Sequence, residues 1–312
     1  MRFFEQGVQA LRAEARLLAA ALRDRRLAVA IAIFAALLLL AAQAPLRYTI
    51  AVGQADTFGS DLPLVAGFHA PEIAESTRRD FRWTTERSLI RLPGAGQRAL
   101  LVGIRLLLVN QEIAERGPRA IELWAGGRLV GRLEPRHTAG EVFRVLLPPP
   151  ADGSGDQQIE LRSATYTPAG DQRAIGAPVD EVTVDSVSWP SLPAWRSTLA
   201  WLGAALLLWL ALRRIGLAPF AAQALLIAAV LPASLAALLD PPRFAFGASA
   251  ALTAAALGWL LTLLLVAAPA GLALAGLALA LPGAGLRLLG GAAGAALLAV
   301  GLALVVAGWL RP

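Results

Sequence analysis

The densest group of residues able to hold a polar ligand is Gly67-Phe68-His69-Ala70-Pro71-Glu72, followed shortly by Phe81-Arg82-Trp83-Thr84. An aromatic face beside a guanidinium and a carboxylate can hold a sugar. The pyranose stacks on the ring, and paired hydrogen bonds run from the charged groups to its hydroxyls. His69, Glu72, Arg82 and Trp83 are therefore the candidate ligand-binding residues. The same residues also have a plainer use, with Trp83 as core and Arg82 paired with Glu72 to fix a loop. A second group is Thr165-Tyr166-Thr167-Pro168, then Asp171-Gln172-Arg173 and Asp180-Glu181. Here Asp171 is expected to cap a turn and Arg173 to pair with Asp180, tying the last loop to the last strand. Asp171, Arg173 and Asp180 are the candidate structural residues.

The chain carries no G-x-S-x-G, Walker A, H-E-x-x-H or Rossmann glycine pattern. It has no Cys, which excludes disulfides, zinc-thiolate sites and a cysteine nucleophile. Its two histidines, His69 and His137, are far apart and each reads as a surface or loop residue. No catalytic residue, metal or cofactor is assigned. Residues 199–239 and 244–310 contain no acid, which argues against a proton- or ion-coupled transporter. Asp240 and Arg243 flank Pro241-Pro242 and read as a loop.

The elements that must position these groups follow from composition. The chain is 57% hydrophobic and 16% charged, with a mean hydropathy of +0.60, well outside the soluble range. The excess is concentrated in residues 27–44 and 199–310. Residues 46–190 have an ordinary soluble composition. The net charge is +6, but residues 46–190 hold 16 Arg against 18 Asp plus Glu, so the basic surplus lies beside the apolar segments. That distribution follows the positive-inside rule and argues against a nucleic-acid partner.

Residues 1–26 place Phe4, Val8, Leu11, Ala15, Leu18 and Leu22 on one helical face, a basic amphipathic segment suited to a cytoplasmic lipid interface. Residues 27–45 form the first membrane helix, with six Arg before it, so residue 46 onward should face outward. Ala42-Gln43-Ala44 resembles a signal-peptidase site, but the long preceding segment favours an uncleaved anchor. Residues 191–312 form a membrane block with helices at about 195–212, 217–239, 245–267, 269–286 and 289–309, six in all, and both termini cytoplasmic. Gly290 and Gly294 make one GxxxG.

Between these blocks, short strands are expected at 48–52, 81–84, 88–92, 99–109, 120–124, 128–133, 142–147, 158–162 and 181–187. In Ile121-Glu122-Leu123-Trp124 and Ile159-Glu160-Leu161-Arg162 the charged residues point one way and the apolar ones the other. Ala125-Gly126-Gly127-Arg128 reads as a tight hairpin. The fold class is thus mixed: an antiparallel β-sandwich of jelly-roll type at 46–190 plus α-helical transmembrane segments. Both ends of residues 46–190 lead into membrane helices, so the first and last strands should lie together.

The order Phe68-His69, Pro71-Glu72, Phe81-Arg82-Trp83-Thr84, Thr167-Pro168, Asp171, Arg173, Gly176 and Asp180 resembles the extracytoplasmic β-sandwich of uncharacterised bacterial multi-pass membrane proteins, some of them glycosyltransferase-associated. The resemblance covers residues 48–187. It implies a cell-envelope setting in polysaccharide or glycolipid metabolism and names no activity. Membrane glycosyltransferases that use lipid-linked sugars carry acids on the first outward loop. Asp56 and Asp61 follow the first helix here, but six helices are few for such a catalytic bundle.

Three readings result. In the first, the sandwich recognises envelope glycan, glycolipid or a partner protein while the helices sit in the lipid bilayer and dock a polytopic enzyme. In the second, Asp56, Asp61 or Glu72 is a general base on a lipid-linked donor, with a divalent ion or Arg82 balancing pyrophosphate. In the third the protein is purely structural. On balance the residues favour the first, a non-enzymatic recognition module.

Overall fold

The computed structural model describes residues 12, 15–16, 19–21 and 23–267, apart from 56–59, 76, 110 and 137–139. The helices expected at 269–286 and 289–309, Gly290 and Gly294, most of the amphipathic segment 1–26, Asp56 and His137 lie outside the described residues.

The chain divides into two compact units. One contains Met1–Ala41, Ser197–Ala237 and the chain from Gly247 onward; the other contains Ala42–Arg196 and Leu238–Phe246. Among the described residues the long helices are α1 (Arg25–Gln43), α3 (Trp195–Arg214), α4 (Pro219–Leu239) and α5 (Pro241–Ala267). All four are long and apolar enough to cross a membrane, with mean hydropathies from 1.4 to 2.2. At 1.5 Å per residue, 19 to 22 residues reach about 30 Å, the thickness of a bilayer's hydrocarbon layer.

The helix ends are set by local chemistry. Asp24 caps α1, its Oδ1 accepting from the Arg26 amide at 2.9 Å. At Asp240-Pro241-Pro242-Arg243 the structure corrects the loop expected from the prolines. Asp240 is an N-cap whose Oδ1 accepts from the Arg243 amide at 3.1 Å, and Pro241 opens α5. A first-turn proline fits because its missing N–H would be unpaired there in any case.

The second unit is an antiparallel β-sandwich. Its strands are β1 (Arg47–Ala51), β2 (Val65–Phe68), β3 (Glu72–Ala74), β4 (Arg79–Leu92), β5 (Leu100–Leu106), β6 (Ile121–Ala125), β7 (Arg128–Leu133), β8 (Glu141–Leu147), β9 (Gln157–Ser163) and β10 (Pro178–Ser186). A short helix, α2 (Gln111–Arg116), lies between β5 and β6. One layer has the order β1-β10-β5-β8 and the other β2-β4-β9-β6-β7. The first and last strands pair, Arg47 opposite Asp185, so the two ends of the sandwich leave side by side.

Strand β4 joins the layers. Its first half pairs with β3 and touches β10 at Arg82 and Trp83, and its second half pairs with β2 and β9. The strands expected at 81–84 and 88–92 are therefore one. Between the layers Ile90, Leu92, Ile121, Leu123, Ile159 and Leu161 face Leu100, Val102, Ile104, Val182 and Val184, all at most 2% exposed. The hairpin at Gly126-Gly127 has φ values of +54° and +75°, the left-handed pair that a two-residue turn requires.

Leu238–Phe246, the end of α4 and the start of α5, belongs to the β unit. Phe246 packs against the sandwich core, and a Cβ on Gly94 would stand 2.7 Å from the Ala245 Cβ. Burial, with the Asp240 carboxylate second, raises the Tyr48 pKa.

Candidate functional site

Phe81, Arg82, Trp83 and Thr84 are all buried, a run that two-residue alternation does not produce. The reason is that β4 is covered on both faces as it passes between the layers. Phe81 and Trp83 join Ala74, Leu107, Ile113 and Ile175 in a small second core beside the main one. Arg82 and Thr84 face the other way. The Thr84 hydroxyl accepts from the Ala177 amide at 2.8 Å.

Arg82 pairs with Asp61 and not, as expected, with Glu72. Nε and Nη2 donate to the two Asp61 oxygens at 2.7 and 2.8 Å, and Nη1 donates to the His69 carbonyl at 3.0 Å. The Asp61 Oδ2 also accepts from the Gly53 amide at 2.7 Å. Both side chains are at most 5% exposed. Such a pair is tolerated only because each oxygen and each nitrogen has a partner.

Trp83 is 3% exposed and packs edge-on to Phe81, with centroids 5.4 Å apart. Its indole N–H donates to Glu72 Oε2 at 3.2 Å, and Glu72 Oε1 accepts from Arg173 Nη1 at 2.6 Å. The Trp83 ring is thus a support under Glu72 and not an open stacking face. The His69 amide donates to the Trp83 carbonyl at 2.9 Å, and its ring Nε2 donates to the Ala174 carbonyl at 2.9 Å.

The expected pair of Arg173 with Asp180 does not form. Arg173 chelates Asp171 instead, with Nε 2.9 Å and Nη2 2.7 Å from Oδ2. The Asp171 Oδ1 also accepts from the Arg173 amide at 3.0 Å, the turn cap that the sequence implied. This guanidinium holds the Asp171 carboxyl down to about 2, and in return the carboxylates of Asp171 first and Glu72 second push the Arg173 pKa upward. Asp180 lies elsewhere. Its carboxylate takes Arg105 Nε at 2.9 Å and Arg79 Nη1 at 3.3 Å. A register shift between Val179 and Glu181 is the physical cause, since a bulge re-aims the side chain it contains.

Six of the seven candidate residues therefore belong to one connected network, running from Asp171 and Arg173 through Glu72 and Trp83 to His69 and Arg82. Its outer part stays open to solvent, with Glu72 34%, Arg173 41% and Asp171 25% exposed. Its inner part is Arg82 with Asp61. Among the described residues no group of three His, Asp or Glu side chains converges as metal ligands.

Trp124 was not singled out by the sequence, and its side differs from expectation. It stands on the outer face of β6 with Glu122, whose Oε2 accepts the indole N–H at 2.9 Å. The Arg162 guanidinium lies 4.3 Å over the ring and is chelated by Glu160 at 2.8 and 2.9 Å. The strict two-residue period from Glu122 was the available signal.

No family model matches the chain, and no curated protein matches it. Solved structures share limited likeness. A Podospora anserina GH26-CBM35 β-(1,4)-mannanase is 13% identical over 47% of this chain and 29% of its own, with a TM-score of 0.29. A family 35 carbohydrate binding module from an environmental isolate is 15% identical over 40% of this chain and 93% of its own, with a TM-score of 0.26. The plant receptor-like kinase FER is 14% identical over 46% and 49%, with a TM-score of 0.32. The chain spans less than a third of the mannanase and about half of the receptor. At these scores the architecture rests on the strand pairing and the buried core, which define an antiparallel β-sandwich; among the described residues four helices are long and apolar enough to cross a membrane.

Proposed function

We propose that this is a multi-pass cell-membrane protein whose outward, jelly-roll-like sandwich recognises envelope glycan without chemistry of its own. The observation that carries the reading is the solvent-open carboxylate–guanidinium surface of Glu72, Asp171 and Arg173, held by the buried Trp83 and by the loop that His69 ties down. Fixed charged hydrogen-bonding groups of both signs suit the paired hydroxyls of a sugar. Arg82 and Trp83 are positioning residues in this arrangement. The partners are the bilayer, a glycan or glycolipid, and a polytopic membrane enzyme that the module serves.

Three features support an outward sandwich. Arg25 and Arg26 precede the apolar run of α1, Arg213-Arg214 end α3, and the turn between α4 and α5 belongs to the same unit as the sandwich. If α3 and α4 cross and return, that turn comes back to the sandwich side, as its packing requires. The glycosyltransferase-like alternative lacks a free base at Asp61, whose two oxygens are taken by Arg82 and Gly53.

The test is a glycan array probed with the full chain in detergent, with and without calcium. The expected result is binding to a restricted set of glycans, weakened at least about tenfold in Arg173→Ala with the β-sheet circular dichroism unchanged. A folded chain that binds no glycan, or whose binding survives both Arg173→Ala and Glu72→Gln, removes the reading.

A further inference from the structure

Residues 187–194, between β10 and α3, are fastened to the sandwich along their length. The Val187 amide donates to the Ala99 carbonyl at 3.0 Å, and the Ala99 amide to the Ser188 hydroxyl at 2.8 Å. Ser191 is 2% exposed. Its carbonyl accepts from Gln43 Nε2 at 2.6 Å, its amide donates to Gln43 Oε1 at 3.2 Å, and its hydroxyl accepts from Arg98 Nε at 3.0 Å. The Leu192 carbonyl accepts from the Gln97 amide at 2.8 Å, and Ala194 is 2% exposed against Gly155.

A segment held this firmly could bury its large apolar side chains, yet it displays them. Trp189 is 75% exposed, Leu192 65% and Val187 52%, and Trp195, which follows directly at the start of α3, is 50% exposed. A water-facing domain rarely keeps four such residues out along one short stretch. We infer that this stretch seats the sandwich in the headgroup-to-acyl boundary of the bilayer, with Trp189, Leu192 and Trp195 as the inserted side chains.

Lipid is the occupant because of where the stretch leads. Trp195 is the first residue of α3, a helix able to cross a membrane, so the display ends where the hydrocarbon layer begins. Residues 42–44, the last two of α1 and the one after it, are bound to the same stretch. Arg98, 5% exposed, donates to the carbonyls of Ala42 and Ala44 as well as to Ser191. Burial lowers the Arg98 pKa, a cost offset by two carbonyls at the negative end of a helix. Tryptophan prefers the interface, where the ring meets acyl chain and the N–H meets water. Arg196, its guanidinium 5.4 Å over the Trp195 ring, can keep its charge among the headgroups.

The inference rests on the membrane reading, and the test separates the two. The chain has no cysteine, so single-cysteine variants label at one place. Trp189→Cys, Leu192→Cys, Leu129→Cys on β7 and Leu231→Cys on α4 would carry an NBD fluorophore in the full chain, reconstituted in phosphatidylcholine vesicles containing a 5-doxyl lipid. Positions 189 and 192 are expected to be quenched by the doxyl lipid about threefold more than position 129 and to be shielded from aqueous iodide, with position 231 also quenched. Positions 189 and 192 behaving like 129 while 231 is quenched would overturn the inference and leave the membrane reading standing. Shielding from iodide without doxyl quenching would mean that protein covers the stretch, which also overturns it. An unquenched position 231 would overturn the membrane reading itself.

Discussion

Arg82→Ala is expected to unfold the sandwich at a cost of about 3–5 kcal/mol, the usual penalty for stranding one member of a buried ion pair. Asp61, fully buried, would keep, among the described residues, the Gly53 amide as its one donor. The His69 carbonyl would also lose its Nη1 donor, loosening the loop that carries Glu72. Because the charge left behind causes the loss, Asp61→Leu combined with Arg82→Met should recover most of it. Denaturant titration of the full chain in detergent, followed by near-ultraviolet circular dichroism, checks both. An Arg82→Ala protein as stable as the parent would show that the pair does not hold the fold.

Gly53→Ala has the second-largest expected effect. Gly53 has a φ of +99°, and an added Cβ would stand 2.5 Å from the Phe81 amide nitrogen and 2.9 Å from the Asp80 carbonyl carbon. Those are backbone atoms of β4 and have no rotamer by which to yield. Strain at the positive φ adds about 1–2 kcal/mol to an overpacking cost of about 1–3 kcal/mol. Relieving the clash would move the Gly53 amide away from Asp61, so the damage should spread to the Arg82 pair. The same titration measures it, and Gly126→Ala is the comparison, since a Cβ there meets nothing within 4 Å although its φ is also positive. Equal losses at the two positions would show that the close approach to Phe81 is not what demands glycine.

These two positions show where sequence reading stops. The four long helices are legible because about 19 apolar residues in a row leave one physical solution in lipid. The hairpin at Gly126-Gly127 and the strands around Ile121, Ile159 and Val182 are legible because a half-buried sheet imposes a two-residue period. β2 and β3, with four and three residues, are too short for a period to emerge. β4 reads as two strands because Thr85, Glu86 and Arg87 interrupt the apolar pattern just where the strand passes from one layer to the other.

Charge partners were the least legible. Any arginine attracts any carboxylate, and the choice is made by backbone detail. The bulge at Asp180 turns that residue to Arg105, while the turn at Asp171 captures Arg173 before it can reach further. Arg82 finds Asp61 because a residue buried on both sides of a strand accepts only a partner that is buried with it.

If the sandwich faces outward from a membrane, residues 152 and 218 lie on opposite sides of it. With no native cysteine to confuse the labelling, Asp152→Cys at an exposed turn of the sandwich and Ala218→Cys between α3 and α4 can be treated in intact cells with a membrane-impermeant maleimide. The expected result is that position 152 labels at once and position 218 only after the cells are permeabilised. The reverse pattern, position 218 open and position 152 closed until permeabilisation, would contradict the account.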